Sequence, residues 1–197
     1  MFAVVQNGNI VQLIQPDTAF VIGEKQYSAR FIRNATEAER KSVGVYEVIQ
    51  GTQQDQRFYW VTGPSYRVNE TNQTVEATYT ATPKALEDKL ETKEDGTPLY
   101  VQKFDPAANG GKGGMVDTTE QVVTKGLKSQ WIAQTKASAN SELAQTDWMV
   151  IRKAERNVEI PGGVMADRAA VVALCAEKEA AIAACTTVEQ LMIAVQG

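Results

Sequence analysis

Leu143-Ala-Gln-Thr-Asp-Trp-Met-Val-Ile-Arg-Lys-Ala-Glu-Arg-Asn-Val-Glu-Ile-Pro161 decides how this chain is read, because helical patterning runs into it from one side and out of it on the other. Thr146 stands where it can cap a short helix, Asp147 to Arg156. Asp147 in the first turn suits the positive end of the helix dipole, and Arg156 suits the negative end. Asn157-Val-Glu-Ile-Pro-Gly-Gly163 breaks that helix, and Pro161 falls where a helix start tolerates it. Trp148, Ile151, Arg152 and Glu155 lie about one turn apart, so they can pack and pair without any further role.

On the N-terminal side, Trp131 or Ile132, Thr135, Ala139 and Leu143 form a stripe of helical period from about Lys125 to Gln145. On the C-terminal side, a helix of about Val164 to Ala184 is dense in alanine, the best helix former, and its small side chains permit close approach of a second helix. Thr187 with Gln190 makes a capping box that opens a terminal helix, Val188 to Val195. Residues 126–197 therefore read as an all-helical hairpin with a tail.

The N-terminal part has a different period. Phe2-Ala-Val-Val-Gln6 and Ile10-Val-Gln-Leu-Ile14 flank Asn7-Gly8-Asn9, and Asn-Gly between apolar runs is the strongest short hairpin signal because both residues accept positive φ. Ala19 to Ile22 and Tyr27 to Ile32 read as a second hairpin, with Tyr27, Ala29 and Phe31 alternating against Ser28 and Arg30. Thr36 and Glu39 form a capping box before a short helix that Gly44 ends. Val45 to Ile49, Arg57 to Thr62 and Val75 to Ala81 complete a meander of short strands, with Val4, Ile10, Phe20, Tyr27, Phe31, Val48, Phe58, Trp60 and Tyr79 as the expected core. Within Arg57-Phe-Tyr-Trp60, Phe58 and Trp60 are expected inside and Tyr59 outside.

The expected fold class is α+β: a small antiparallel β-meander domain over residues 1–86, a glycine-rich linker or extended arm over 87–125, and the helical domain over 126–197. The arm is inferred from the Glu, Lys, Asp, Gly and Pro content up to Pro98 and from Asn109-Gly-Gly-Lys-Gly-Gly114, whose glycines resist regular packing. Leu99 to Phe104 is at most a lone strand within it.

The chain has 197 residues with 43% hydrophobic content, enough to bury a core. Its 24 acidic and 20 basic side chains give a net charge of −4, which is no footprint for a phosphate backbone or an anionic membrane. Nucleic acid and membrane are not expected partners. The N-terminus lacks the pattern of a secretory signal, so manufacture in a cytoplasm is the expectation.

Histidine is absent, which removes the commonest general base and the commonest metal ligand. Gly110-Gly-Lys-Gly-Gly114 fails as a phosphate loop, since Pro106 and Gly113 stand where glycine and Ser or Thr are needed. No catalytic residue, cofactor or metal is expected. Cys175 shares a helix face with Val164, Val171 and Ile182, the position of a core residue. Cys185, at the helix end, reads as the exposed thiol. Ten residues of helix separate them by about 15 Å, so they cannot bond to each other, and any disulfide is expected to be intermolecular through Cys185.

The helical region resembles the C-terminal module of tailed-bacteriophage tail proteins, both tail-fibre or fibre-attachment components and tail-fibre assembly proteins. The matching positions are Thr146, Asp147, Trp148, Arg152, Ile160, Pro161 and Arg168. Phe58 to Val61 and Tyr79 to Lys84 resemble the small β-module that often precedes it. The resemblance implies a non-catalytic structural part of the virion tail, a tail fibre or a baseplate or fibre-attachment protein, that acts in particle assembly and host attachment. Its implied partners are other tail proteins and further copies of itself, as a homotrimer. The alternative implied by the same module is an assembly chaperone that leaves the finished particle.

Overall fold

The computed structural model describes residues 1–196, and the chain is α+β, with its sheet in the N-terminal part and its long helices in the C-terminal part. It divides into two compact units, Met1–Thr82 and Pro83–Gly197.

In the first unit, β1 (Phe2–Gln6) and β2 (Asn9–Ile14) form the expected hairpin, from Phe2 opposite Ile14 to Gln6 opposite Asn9. Asn7 and Gly8 have φ of 51° and 74°, the left-handed conformation that such a turn requires. The strands β3 (Phe20–Ile22) and β4 (Lys25–Tyr27) form a second, separate hairpin. It is shorter than the alternation suggested. After Tyr27 the chain turns, the Phe31 N–H donating to Ser28 O at 3.0 Å, and continues as the helical turn α1 (Phe31–Asn34). The turn folds the Phe31 ring back onto Phe20 and Tyr27, with centroids at 6.0 and 4.8 Å, an aromatic cluster that an extended strand could not close.

The capping box is present as read. Thr36 Oγ1 accepts from the Glu39 N–H and Glu39 accepts from the Thr36 N–H, opening α2 (Glu37–Ser42). Gly44 follows at φ 79°, with its carbonyl accepting from the Val5 N–H at 2.7 Å. A Cβ there would meet Val5 O at 2.6 Å, so glycine is required both by conformation and by the approach of β1.

The remaining strands are β5 (Val45–Gln50), β6 (Tyr59–Asn69) and β7 (Thr74–Pro83). The five-stranded sheet has the order β2-β1-β5-β7-β6. It is mixed where an antiparallel meander was expected, because β5 and β7 run parallel, Glu47 opposite Thr74. Alternation reports which face a side chain takes and nothing about strand direction. The loop after Gln50 and β6 together supply the crossover that a parallel pair needs.

Successive β1 residues serve opposite faces. Ala3 and Val5 pack with Tyr46, Val48, Val75 and Ala77, whereas Val4 packs with Ile14, Phe20, Tyr27, Ile32 and Val45. Both faces are therefore covered. Among the expected core residues, Val4, Phe20, Tyr27, Val48 and Phe58 are buried, while Ile10, Phe31 and Tyr79 are half-buried. Trp60 is a correction: it is 65% exposed and Tyr59 is inside. Phe58 belongs to a turn in which the Phe58 and Tyr59 N–H groups both donate to Asp55 O, so the strand period begins one residue later, and a shift of one residue exchanges faces.

The second unit begins with what was expected to be an irregular arm over 87–125, and that expectation is corrected. β8 (Lys89–Leu90) pairs with β11 (Val123–Thr124), and β9 (Tyr100–Asp105) pairs with β10 (Gly114–Gln121). The tip between β9 and β10 is a helical turn, α3 (Ala108–Gly111). The glycines there close a hairpin. Gly110, Gly111 and Gly113 take φ of 69–88°, the Ala107 N–H donates to Asp105 Oδ1, and Asn109 Nδ2 donates to Gly113 O.

Four helices follow: α4 (Leu127–Ala144), α5 (Asp147–Arg156), α6 (Gly162–Ala184) and α7 (Val188–Gln196). The Leu127 and Lys128 N–H groups donate to Ala85 O and Leu86 O, which is why the division falls at Thr82 and not at Leu86. Asp88 Oδ1 accepts from the Gly126 N–H at 2.8 Å and Oδ2 pairs with Lys125. The Ser129 hydroxyl, that N–H and the Lys125 ammonium hold the Asp88 carboxyl below its ordinary range. The expected stripe Trp131, Ile132, Thr135, Ala139 and Leu143 is half-buried, and α4 packs on α6.

Candidate functional site

The motif around Thr146 becomes a clasp at the α4–α5 junction. Arg168, two turns into α6, donates through Nη1 to Leu143 O at 2.7 Å and to Thr146 Oγ1 at 2.6 Å, and through Nη2 to Asp147 Oδ1 at 2.8 Å. Thr146 Oγ1 itself donates to Leu143 O at 3.1 Å. One planar guanidinium with several fixed donors thus ties the last carbonyls of α4 to the first residues of α5, a geometry that lysine could not reproduce.

Thr146 precedes α5 as expected, but its side chain makes no bond to the first turn of that helix. Its hydroxyl is engaged by Leu143 and Arg168, and this corrects its reading as a side-chain cap. The Asp147–Arg156 helix ends on Asn157 at φ 53°, a left-handed stop that asparagine tolerates. Pro161 precedes α6, its carbonyl accepting from the Met165 N–H at 3.3 Å.

Trp148 and Arg152 are not part of the clasp. They pair with each other, the guanidinium lying 4.9 Å from the indole centroid, and Trp148 is 52% exposed. Arg152 Nε is buried without a hydrogen-bond partner among the described residues. Among the motif residues, the structure brings Thr146, Asp147 and Arg168 into one contact, sets Trp148 against Arg152 on α5, and uses Pro161 only to start α6.

Along the α4–α6 contact, Lys136 Nζ stands 3.0 Å from Glu179 Oε2, and Cys175 Sγ donates to Glu179 Oε1 at 3.3 Å. Lys136, followed by the thiol, holds the Glu179 carboxyl below its ordinary range, while burial and the adjacent carboxylate push the Cys175 thiol up. A thiol held protonated is a poor nucleophile.

Cys185 is a correction. It is 5% exposed, with its Sγ donating to Ala181 O at 3.2 Å, so it is not the accessible thiol of an intermolecular disulfide. Cys185 ends α6 with an extended ψ of 136°, and the turn folds α7 back so that Ile182, Cys185, Val188 and Leu191 are all buried. The capping residues of α7 are shared: the Gln190 N–H donates to Thr187 Oγ1, while Gln190 Oε1 accepts from the Thr186 N–H.

Between α4, α6 and α7 lies an open groove of about 310 Å³, lined by the apolar Val171, Leu174 and Ile182 together with the polar Gln134, Thr135 and Ser138, and bordered by Glu142 and Lys178. It was not legible in the sequence, because its lining comes from three helices that meet only in the folded chain. Among the described residues no group of three or more His, Cys, Asp and Glu is arranged to hold a metal ion, and no helix is long and apolar enough to cross a membrane. What the arrangement can do is hold helices in register and present a groove of mixed apolar and polar lining.

No family model, curated protein or solved structure matches this chain.

Proposed function

We propose that the chain is a structural component of a bacteriophage tail, a tail fibre or a baseplate or fibre-attachment protein, that acts in particle assembly and host attachment without catalysis. The observation that carries this reading is the use made of Thr146, Asp147 and Arg168. These three residues of the resemblance meet in a junction that joins three helices through hydrogen bonds and exposes no reactive group. A residue pattern shared for scaffolding needs such a contact, whereas a catalytic pattern needs a nucleophile or base converging on a pocket.

Its partners on this reading are other tail proteins and further copies of the chain, and its place is the virion tail after synthesis in the host cytoplasm. Quantitative mass spectrometry of purified virions from the phage that encodes the chain tests it. Copies in fixed ratio to a known tail protein are the expected result. Absence from particles combined with loss of fibres when the gene is deleted would replace this reading by the assembly chaperone. Absence from particles with normal fibres would end both.

A further inference from the structure

The second unit leaves much apolar surface uncovered. Beyond Pro83, Leu127, Ile182, Cys185, Val188 and Leu191 are the buried apolar side chains among the described residues, whereas Leu174 on α6 and Ile193 on α7 are 53% and 74% exposed. Leu174 stands on the lip of the groove between α4, α6 and α7. Glu142 borders the groove from α4 and Lys178 borders it from α6.

Neither charge has an ion-pair partner among the described residues, although Lys178 is half-buried. The neighbouring pair Lys136–Glu179 is satisfied within the chain. An ammonium held partly out of water without a counter-ion is unfavourable, and a carboxylate placed against it relieves that.

We propose that this groove is a two-fold self-association surface, on which a second copy of the chain lies with Glu142 of each copy against Lys178 of the other. Because α4 and α6 run antiparallel, with Lys136 facing Glu179 and Leu143 facing Arg168, Glu142 and Lys178 lie at different heights on opposite lips. Their separation along the helix axes is on the order of 10 Å. A two-fold axis in the mouth of the groove, passing midway between them, exchanges the two positions, so both charges are paired twice and the two Leu174 side chains enter the shared interface. A copy related by an axis along the helices keeps each charge at its own height and leaves both unpaired. The contact is thus isologous and closes at two copies. It stands independently of the tail reading.

The test is the mass of the full chain by light scattering at about 100 μM, above the micromolar dissociation constants at the weak end of specific interfaces. The wild-type protein should give twice the 21.5 kDa chain mass. Glu142→Lys and Lys178→Glu should each weaken association at least tenfold, and the double reversal should restore it. Both side chains lie on the groove lip, and circular dichroism checks that each variant keeps its helices. Leu174→Glu should also give single chains. A single-chain or three-chain mass for the wild type, single reversals that leave the dimer intact, or a double reversal that stays monomeric would overturn the proposal.

Discussion

Gly126 opens α4 with φ −74° and ψ 170°, a backbone that any residue adopts, so nothing in its own conformation calls for glycine. Its surroundings do. A Cβ would overlap the carbonyl carbon and oxygen of Glu87 and the carbonyl oxygen of Leu86, all of them backbone atoms that cannot rotate away. In Gly126→Ala the 86–87 segment must retreat, and with it go the bonds from Leu127 N–H to Ala85 O (2.9 Å) and from Lys128 N–H to Leu86 O (3.1 Å). Two such bonds contribute about 1–3 kcal/mol together. Replacing glycine stiffens the unfolded chain and returns about 0.4–1 kcal/mol. The net expectation is a loss of about 1–2 kcal/mol from the second unit. Gly163→Ala is the matched control. It lies in the first turn of α6 with nothing within 4 Å of its Cβ, so the same substitution should stabilise, by about 0.5–1 kcal/mol. Urea unfolding followed by helical circular dichroism measures both. If Gly126→Ala proved as stable as Gly163→Ala, the close packing of 86–87 on the start of α4 would be wrong.

The position of the strand start is tested by Phe58→Ala and Trp60→Ala. The first should destabilise by about 3–5 kcal/mol as a large cavity, and the second, at an exposed position, by under about 1 kcal/mol; equal losses in urea midpoints would contradict the assignment of Tyr59 to the inside. For the clasp, Arg168→Met removes donors from Leu143 O, Thr146 and Asp147 but keeps a long apolar stem, and should lower stability by about 1–3 kcal/mol. Arg168→Lys should recover only part of this, and full recovery by lysine in thermal unfolding would show that the forked geometry is unimportant. The Asp88 carboxyl has a depressed folded pKa, so its stabilising effect is complete above the ordinary value of 3.8 and is lost as pH falls through the folded value. The difference in unfolding midpoint between wild type and Asp88→Asn should be constant near neutrality and shrink on acidification below 3.8; a difference that grows with acid would reverse the sign of the argument.

What the sequence determined by itself was local. The Asn7-Gly8 turn, the Thr36–Glu39 box, the Asp147–Arg156 helix and the stripe on α4 are each written in residues that lie a few positions apart, and the physics that selects them acts over the same distance. Tertiary structure decided everything that depends on which distant segments meet. The parallel pairing of β5 with β7, the partner strand that turns 100–121 from an arm into a hairpin, and the inside position of Tyr59 follow from contacts between segments that alternation cannot orient or register. Thr146 and Arg168 are separated by 21 intervening residues, and nothing in their spacing says that they meet. Only the antiparallel return of α6 along α4 brings the guanidinium to Thr146 and Leu143, and only the reversal at Cys185 turns an apparent helix-end thiol into part of the core. Local pattern fixes secondary structure because backbone sterics and capping are short-range; a site made by distant residues exists only once the chain has paid the entropy of bringing them together.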